Sequence, residues 1–463
     1  MDACKRIAMI TAVSLAVCVM AVAQDERTPP PVAATVSQDS DVPSPDSTEA
    51  TPDTRPLTGI QPFTLGSSGT ARSFLLPSVH FMQSIDTNVV NSNTGSAIGG
   101  VSSLSWNLDL QRMRQSSQTT VQYAGGKAFY QNQPGLNADA EQLGITQLYQ
   151  FRRMTLTLTD NVSYVPDVGF AYTYLPTPVE TGLIPGLTPA QSILTTFSSR
   201  VSNTVAGQLD FALSARTSIT TSGSFGILRF PNATAVDSNQ GSFQLGLNRS
   251  LDPTDTVGLS YGVTTLSLHA PTGDQRVLAH NLQVAYGRRI TGRMALRLSG
   301  GPQIRDFRNA IYGASSTVSW TITGSMSYQM RRAMLGLSYG HVLSGGSGVL
   351  IGADSDIFQA SIGLPITRTW SSSINWAYSH NTSLLQFATG GFEGRFSSEV
   401  LSVHVRRPLT RQLNAGFSYT LLHQSTGTTG TGFCSGSVCA SSYLRHAFGI
   451  GIDWQMRPIL IGR

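Results

Sequence analysis

The chain has 463 residues, with 31 basic and 26 acidic side chains and a formal net charge of +5. Its cations are nearly all arginine, Lys5 and Lys127 being the only lysines, and they are scattered without the clustering on one element that a DNA- or RNA-binding domain shows, which excludes nucleic acid as a partner. No window approaches the ~18 consecutive apolar residues of a membrane helix, so any crossing of a bilayer is by strands.

Lys5 and Arg6 followed by the apolar run Ile7 to Met20 and the small-x-small site Ala21-Val22-Ala23 predict a signal peptide over residues 1–23. Residues 24–57 change character. Pro, Ser, Thr, Asp and Glu dominate, no aromatic residue occurs, and there is no periodicity, which predicts a disordered acidic linker. Subtracting its charge makes residues 58–463 the basic part of the chain.

From residue 58 onward, apolar and polar residues alternate in short segments. The pattern is cleanest in Val318-Ser319-Trp320-Thr321-Ile322-Thr323-Gly324-Ser325-Met326-Ser327-Tyr328-Gln329, where apart from Gly324 the even positions are large and apolar and the odd ones polar. Period two is the signature of a strand with one oily and one wet face. The oily face continues through Leu104, Trp106, Leu108 and Leu110, then Leu209, Phe211 and Leu213, then Phe243, Leu245 and Leu247, and so on to Leu413, Ala415, Phe417, Tyr419 and Leu421.

Between these segments, tight turns are predicted at Arg112-Met113-Arg114, Arg152-Arg153, Ala215-Arg216, Asp252-Pro253-Thr254-Asp255, Thr291-Gly292-Arg293, Arg331-Arg332, Thr367-Arg368 and Thr410-Arg411. They alternate with Gly-, Ser-, Asn- and Pro-rich loops near 90–100, 131–139, 166–198, 231–238, 269–276, 308–315, 343–354, 383–392 and 426–441. Strict alternation of long and short connections predicts an all-β fold: an antiparallel up-and-down transmembrane β-barrel of about eighteen strands, its short turns in the periplasm and long loops outside. A β-propeller has a similar repeat spacing, but it buries both sheet faces and carries blade signatures absent here. In the exported loop at 426–441, Cys434 and Cys439 predict a small disulfide ring.

The segment Phe448-Gly449-Ile450-Gly451-Ile452-Asp453-Trp454 resembles the closing strand of the bacterial outer-membrane β-barrel superfamily, with the departure that Gln455 to Arg463 trail beyond the final aromatic. The resemblance implies residence in the outer membrane, contact with lipid and lipopolysaccharide, and insertion by the barrel-assembly machinery.

With the apolar phase facing lipid, the charged or titratable residues of the inward phase are Asp109, Asp210, Arg297, His404, Arg406 and Asp453, in a lumen otherwise lined by hydroxyls, amides and Gly. Such a lining predicts a porin-like channel for small polar solutes or saccharides, weakly tilted toward anions by Arg297 and Arg406. The loop at 166–198 either folds inward as a constriction or lies on the rim. The alternative is a structural or receptor barrel with a plugged lumen whose outer loops bind a ligand. A distant third reading, a hydrolase, rests on Ser402 and His404 two residues apart on one inward face, with no orienting group in phase. The strings Gly258-Leu259-Ser260-Tyr261-Gly262 and Gly336-Leu337-Ser338-Tyr339-Gly340 match a nucleophile motif but lie inside alternating strands, where that motif does not function. No enzymatic activity, metal site or cofactor is expected.

Overall fold

The computed structural model describes residues 57–58, 73–90, 97–166, 199–231, 236–270, 273–309, 313–345, 352–367, 369–384, 395–426 and 442–461. The expected signal peptide, residues 24–56 of the expected linker, residues 167–198 of the longest loop and the ring of Cys434 and Cys439 lie outside these.

Eighteen strands follow one another around a ring: β1 (Phe74–Asp86), β2 (Gly99–Met113), β3 (Ser117–Tyr130), β4 (Ala138–Gln150), β5 (Met154–Val165), β6 (Arg200–Ser214), β7 (Thr217–Arg229), β8 (Asp237–Ser250), β9 (Asp255–Ala270), β10 (Gly273–Thr291), β11 (Met294–Asn309), β12 (Gly313–Gln329), β13 (Met334–Ser344), β14 (Ala353–Pro365), β15 (Ser371–Ser383), β16 (Arg395–Pro408), β17 (Leu413–Thr426) and β18 (Tyr443–Gln455). Each is antiparallel to the next, and β1 pairs with β18 from Ser78 opposite Gln455 to Asp86 opposite Ala447, which closes the wall. A closed sheet satisfies every backbone polar group along its length, the condition for crossing hydrocarbon with strands. The residues after Trp454 do not trail free of the barrel. A two-residue strand, β19 (Ile459–Leu460), continues along β1 opposite Leu75 and Phe74, beyond the interruption made by Pro458.

All eight short turns join strands where expected; Arg114 N–H donates to Ser117 O (2.8 Å), Phe151 N–H to Met154 O (2.8 Å) and Met330 N–H to Ala333 O (2.7 Å). Two of the nine expected loops are mostly strand instead. Pairing continues to Ala270 opposite Gly273 and to Asn309 opposite Gly313, so β9 to β12 have 16, 19, 16 and 17 residues. Above the membrane both faces of a strand meet water, so its composition becomes that of a loop while its ladder persists; His269 Nδ1 and Asp274 Oδ1, directly opposite one another, are 3.0 Å apart.

The outward phase is apolar and uncovered. Phe81, Phe243, Trp320 and Ile450 are 50, 54, 62 and 71% exposed, an exterior that water does not tolerate over so large an area and that lipid covers. At the upper edge of this band, aromatic side chains hydrogen-bond to an ionisable neighbour on the next strand. Tyr339 Oη donates to Asp356 (2.8 Å) and Trp376 Nε1 to Glu399 (2.8 Å), while Tyr261 Oη lies 2.8 Å from His280 Nδ1 and Tyr419 Oη 3.0 Å from His446 Nδ1. An amphipathic ring with its polar tip satisfied suits the boundary between hydrocarbon and headgroups.

Candidate functional site

Successive side chains of a strand alternate between lipid and lumen, so each outward Leu or Phe fixes its neighbours inward. Asp109 on β2, Asp210 on β6, Arg297 on β11, His404 and Arg406 on β16 and Asp453 on β18 all take the inward phase. All six also lie within five residues of the short-turn end of their strands, which the period alone does not predict. They form a ring of charged and titratable groups at the short-turn mouth of the barrel.

The ring has internal structure. Asp453 takes His80 of β1 on one oxygen, and its Oδ2 lies 3.4 Å from Arg406 Nε. Arg406 and Asp453 are on non-adjacent strands and meet over Gly416 of β17, which stands directly opposite Arg406. His80 was not among the residues singled out in the sequence; its phase opposite Phe81 and Val79 was the available signal. Asp109 accepts from Asn107 Nδ2 (2.9 Å), and Asp210 accepts from Gln208 Nε2 (2.9 Å) and Thr220 Oγ1 (2.8 Å). These amide and hydroxyl donors hold the two carboxylates against the wall.

Apart from the contact between Arg406 and Asp453, signs are segregated around the mouth. Asp109 on β2 and Arg297 on β11 stand half the eighteen-strand ring apart, and Asp210 on β6 faces the sector of Arg406 on β16. A field therefore runs across the lumen instead of along it, in a space whose low-dielectric wall focuses it.

Above the ring the lining is neutral. Ser224 and Ser242 (2.6 Å), Ser299 and Thr323 (2.6 Å), and Gln244 Nε2 donating to Ser260 Oγ (2.9 Å) are cross-strand pairs on the inner face. Ser402 and His404 share this face, whereas Glu399 points to the exterior, where it accepts the Trp376 indole N–H. Among the described residues no group of three or more His, Cys, Asp or Glu is placed to hold a metal ion.

At the outer end the lumen narrows through an element that the alternation did not reveal. Pairing of β12 with β13 stops at Ile322 opposite His341, although β12 continues upward to Gly313 along β11, and β13 continues to Ser344 along β14. Beyond that split the β13–β14 hairpin turns inward. Leu343 joins a buried cluster with Leu266, Leu268, Val277 and Phe307 on the inner faces of β9 to β11, and Asp354 Oδ1 lies 2.6 Å from Arg305 Nη1. Arg305 is 2% exposed and also donates from Nε to Gln303 (2.7 Å). The sequence did carry a trace of this, since Leu266, Leu268 and Val277 break the polar inward phase at the upper ends of β9 and β10. On the opposite side, Arg445 of β18 is held by Asp86 of β1 through Nε and Nη2, each 2.7 Å from Oδ2.

No protein-family model matches the sequence, and no curated protein is significantly similar to it. Among solved structures, the chain is similar to the ferric citrate transporter FecA in its unliganded form (11% identity, covering 84% of this chain and 65% of the transporter, TM-score 0.41). It is likewise similar to OccK2 of Pseudomonas aeruginosa (9%, 84% and 98%, TM-score 0.40) and to the outer membrane protein OpdK of Pseudomonas aeruginosa (9%, 82% and 99%, TM-score 0.39). The chain spans just under two thirds of the length of the ferric citrate transporter. With a closed wall, an apolar exterior and a polar interior, this protein has the fold of a membrane-spanning β-barrel of eighteen strands.

Proposed function

We propose that the barrel is a diffusion channel for small polar solutes, saccharides among them. The observation that carries this reading is the ring of opposed charges at the periplasmic mouth below a neutral, hydroxyl- and amide-lined wall. A transverse field orients a dipolar solute without binding it tightly, and hydroxyl pairs exchange hydrogen bonds with sugars at little net cost. Because Arg406 shares Asp453 with His80, the tilt toward anions is small. No catalytic role is proposed for Ser402 and His404, whose nearest carboxylate in sequence, Glu399, is on the other side of the wall.

Single-channel recording of the refolded protein in a planar lipid bilayer, with salt gradients, tests this reading. Discrete steps with weak anion preference support it. A folded barrel that never conducts overturns it and favours a receptor with a plugged lumen, the second reading, which draws its support from the inward hairpin of β13 and β14 and its Arg305–Asp354 ion pair.

A further inference from the structure

Leu57 and Thr58, which precede the first strand, lie inside the barrel. Thr58 is 2% exposed and is clamped by one side chain of the inner wall. Its backbone N–H donates to Asn248 Oδ1 (3.0 Å), and Asn248 Nδ2 donates back to Thr58 Oγ1 (2.7 Å), so both ends of one amide engage the backbone and hydroxyl of the same residue. Asn248 Nδ2 also reaches Thr220 Oγ1 (3.1 Å), and Thr220 in turn donates to Asp210 (2.8 Å), which ties the clamp to the charged ring.

The wall around the clamp is bare. Gly246 on β8, Gly258 on β9 and Gly287 on β10 all face inward beside it. A Cβ at Gly246 would collide with Thr58, one at Gly258 would come within 2.9 Å of Thr58 Cγ2, and one at Gly287 within 2.5 Å of Leu57 Cδ2. Glycine in a strand interior weakens the strand, and three on adjacent strands around one guest mark a close approach of another chain segment. Leu57 adds an aliphatic contact, and the threonine supplies the donor and acceptor that a buried asparagine amide requires.

We propose that the inner faces of β7, β8, β9 and β10 form a peptide-docking socket, built from Asn248, Thr220 and the three glycines, whose occupant is the chain's own Leu57–Thr58. The segment ahead of the barrel is thereby fastened inside the periplasmic mouth, and it occupies part of the passage next to Asp210. The socket reads a hydroxyl-bearing residue preceded by a branched aliphatic one. Docking does not depend on what the channel conducts.

The test is disulfide trapping in the full chain with all four native cysteines, Cys4, Cys18, Cys434 and Cys439, replaced by Ser. A Thr58→Cys/Gly258→Cys pair places its Cβ atoms within reach of a disulfide. Mild oxidation of the folded barrel is expected to join them, shifting its mobility on a denaturing gel, whereas a Thr58→Cys/Gln122→Cys pair, with Gln122 on distant β3, stays unlinked. Adding Gly246→Val, which fills the socket, is expected to reduce trapping severalfold. Thr58→Cys/Asn248→Cys is a second pair in case the first does not fold. A barrel that keeps its heat-modifiable mobility yet traps neither pair, or traps the Gln122 pair equally, overturns the proposal. Because no step of the assay requires conduction, a silent channel and an empty socket are told apart.

Discussion

Arg445 on β18 and Asp86 on β1 form an ion pair across the seam where the last long strand meets the first, with the two side chains 3% and 0% exposed. Asp86 also accepts the backbone N–H of Asn88 through Oδ1 (3.0 Å), so one carboxylate fixes both the seam and the start of the connection to β2. Removing one member of a buried pair leaves the other desolvated and is costlier than replacing both. Asp86→Ala is therefore expected to lower stability by about 3–5 kcal/mol, read as a drop in the temperature at which the barrel loses its compact gel mobility. A double substitution to apolar residues, Asp86→Leu with Arg445→Met, recovers much of the loss.

The transverse field at the mouth predicts opposite shifts from its two sides. Arg297→Gln with Arg406→Gln is expected to move selectivity toward cations, and Asp109→Asn with Asp210→Asn toward anions, as reversal potentials in a salt gradient. Both shifts shrink as ionic strength rises past ~0.15 M, where the screening length falls to about 8 Å. Equal responses from the two pairs would mean that solutes do not pass between these walls.

The inward hairpin is latched by Arg305. With the guanidinium removed, Asp354, itself 30% exposed, loses its partner and the hairpin loses about 1–3 kcal/mol of support. Arg305→Ala is expected to speed amide hydrogen exchange at Leu343, Ser344 and Ser355 by roughly ten- to a hundredfold while leaving β2 to β8 unchanged. Unit conductance rises in the same variant if the hairpin limits flow.

On the outer wall Trp106 lies flat across Gly125 of β3, where a Cβ would come within 2.6 Å of the indole. Gly125→Val forces the ring off the wall, with an overpacking cost of about 1–3 kcal/mol. Its signature is a change in tryptophan emission of the refolded barrel in lipid, which a Gly292→Val control in an open turn does not reproduce.

Much of this fold was legible because alternation is a local property. Leu108 and Leu110 facing lipid force Asp109 inward whatever the rest of the chain does, and the same logic placed Asp210, Arg297, His404, Arg406 and Asp453 on the lumen side. Turn chemistry marked the eight short connections. Composition failed at Ala270 to Gly273 and at Asn309 to Gly313, because a ladder standing in water has no need of an apolar face.

Period two alone sufficed for a closed wall of about eighteen strands, its apolar exterior and the inward phase of the polar residues on each alternating strand, since it decides on which side of a sheet a residue lies. Which inward residues meet is a matter of three-dimensional packing. That Arg406 reaches Asp453 over Gly416, that the β13–β14 hairpin leaves the wall to set Asp354 on Arg305, and that Thr58 enters a glycine-walled socket at Asn248 all depend on relative strand height and on where the sheet splits. Height is set by the register of all eighteen pairings together, and a split is a loss of pairing between two strands that each remain well formed. Neither leaves a mark in the alternation of any single strand.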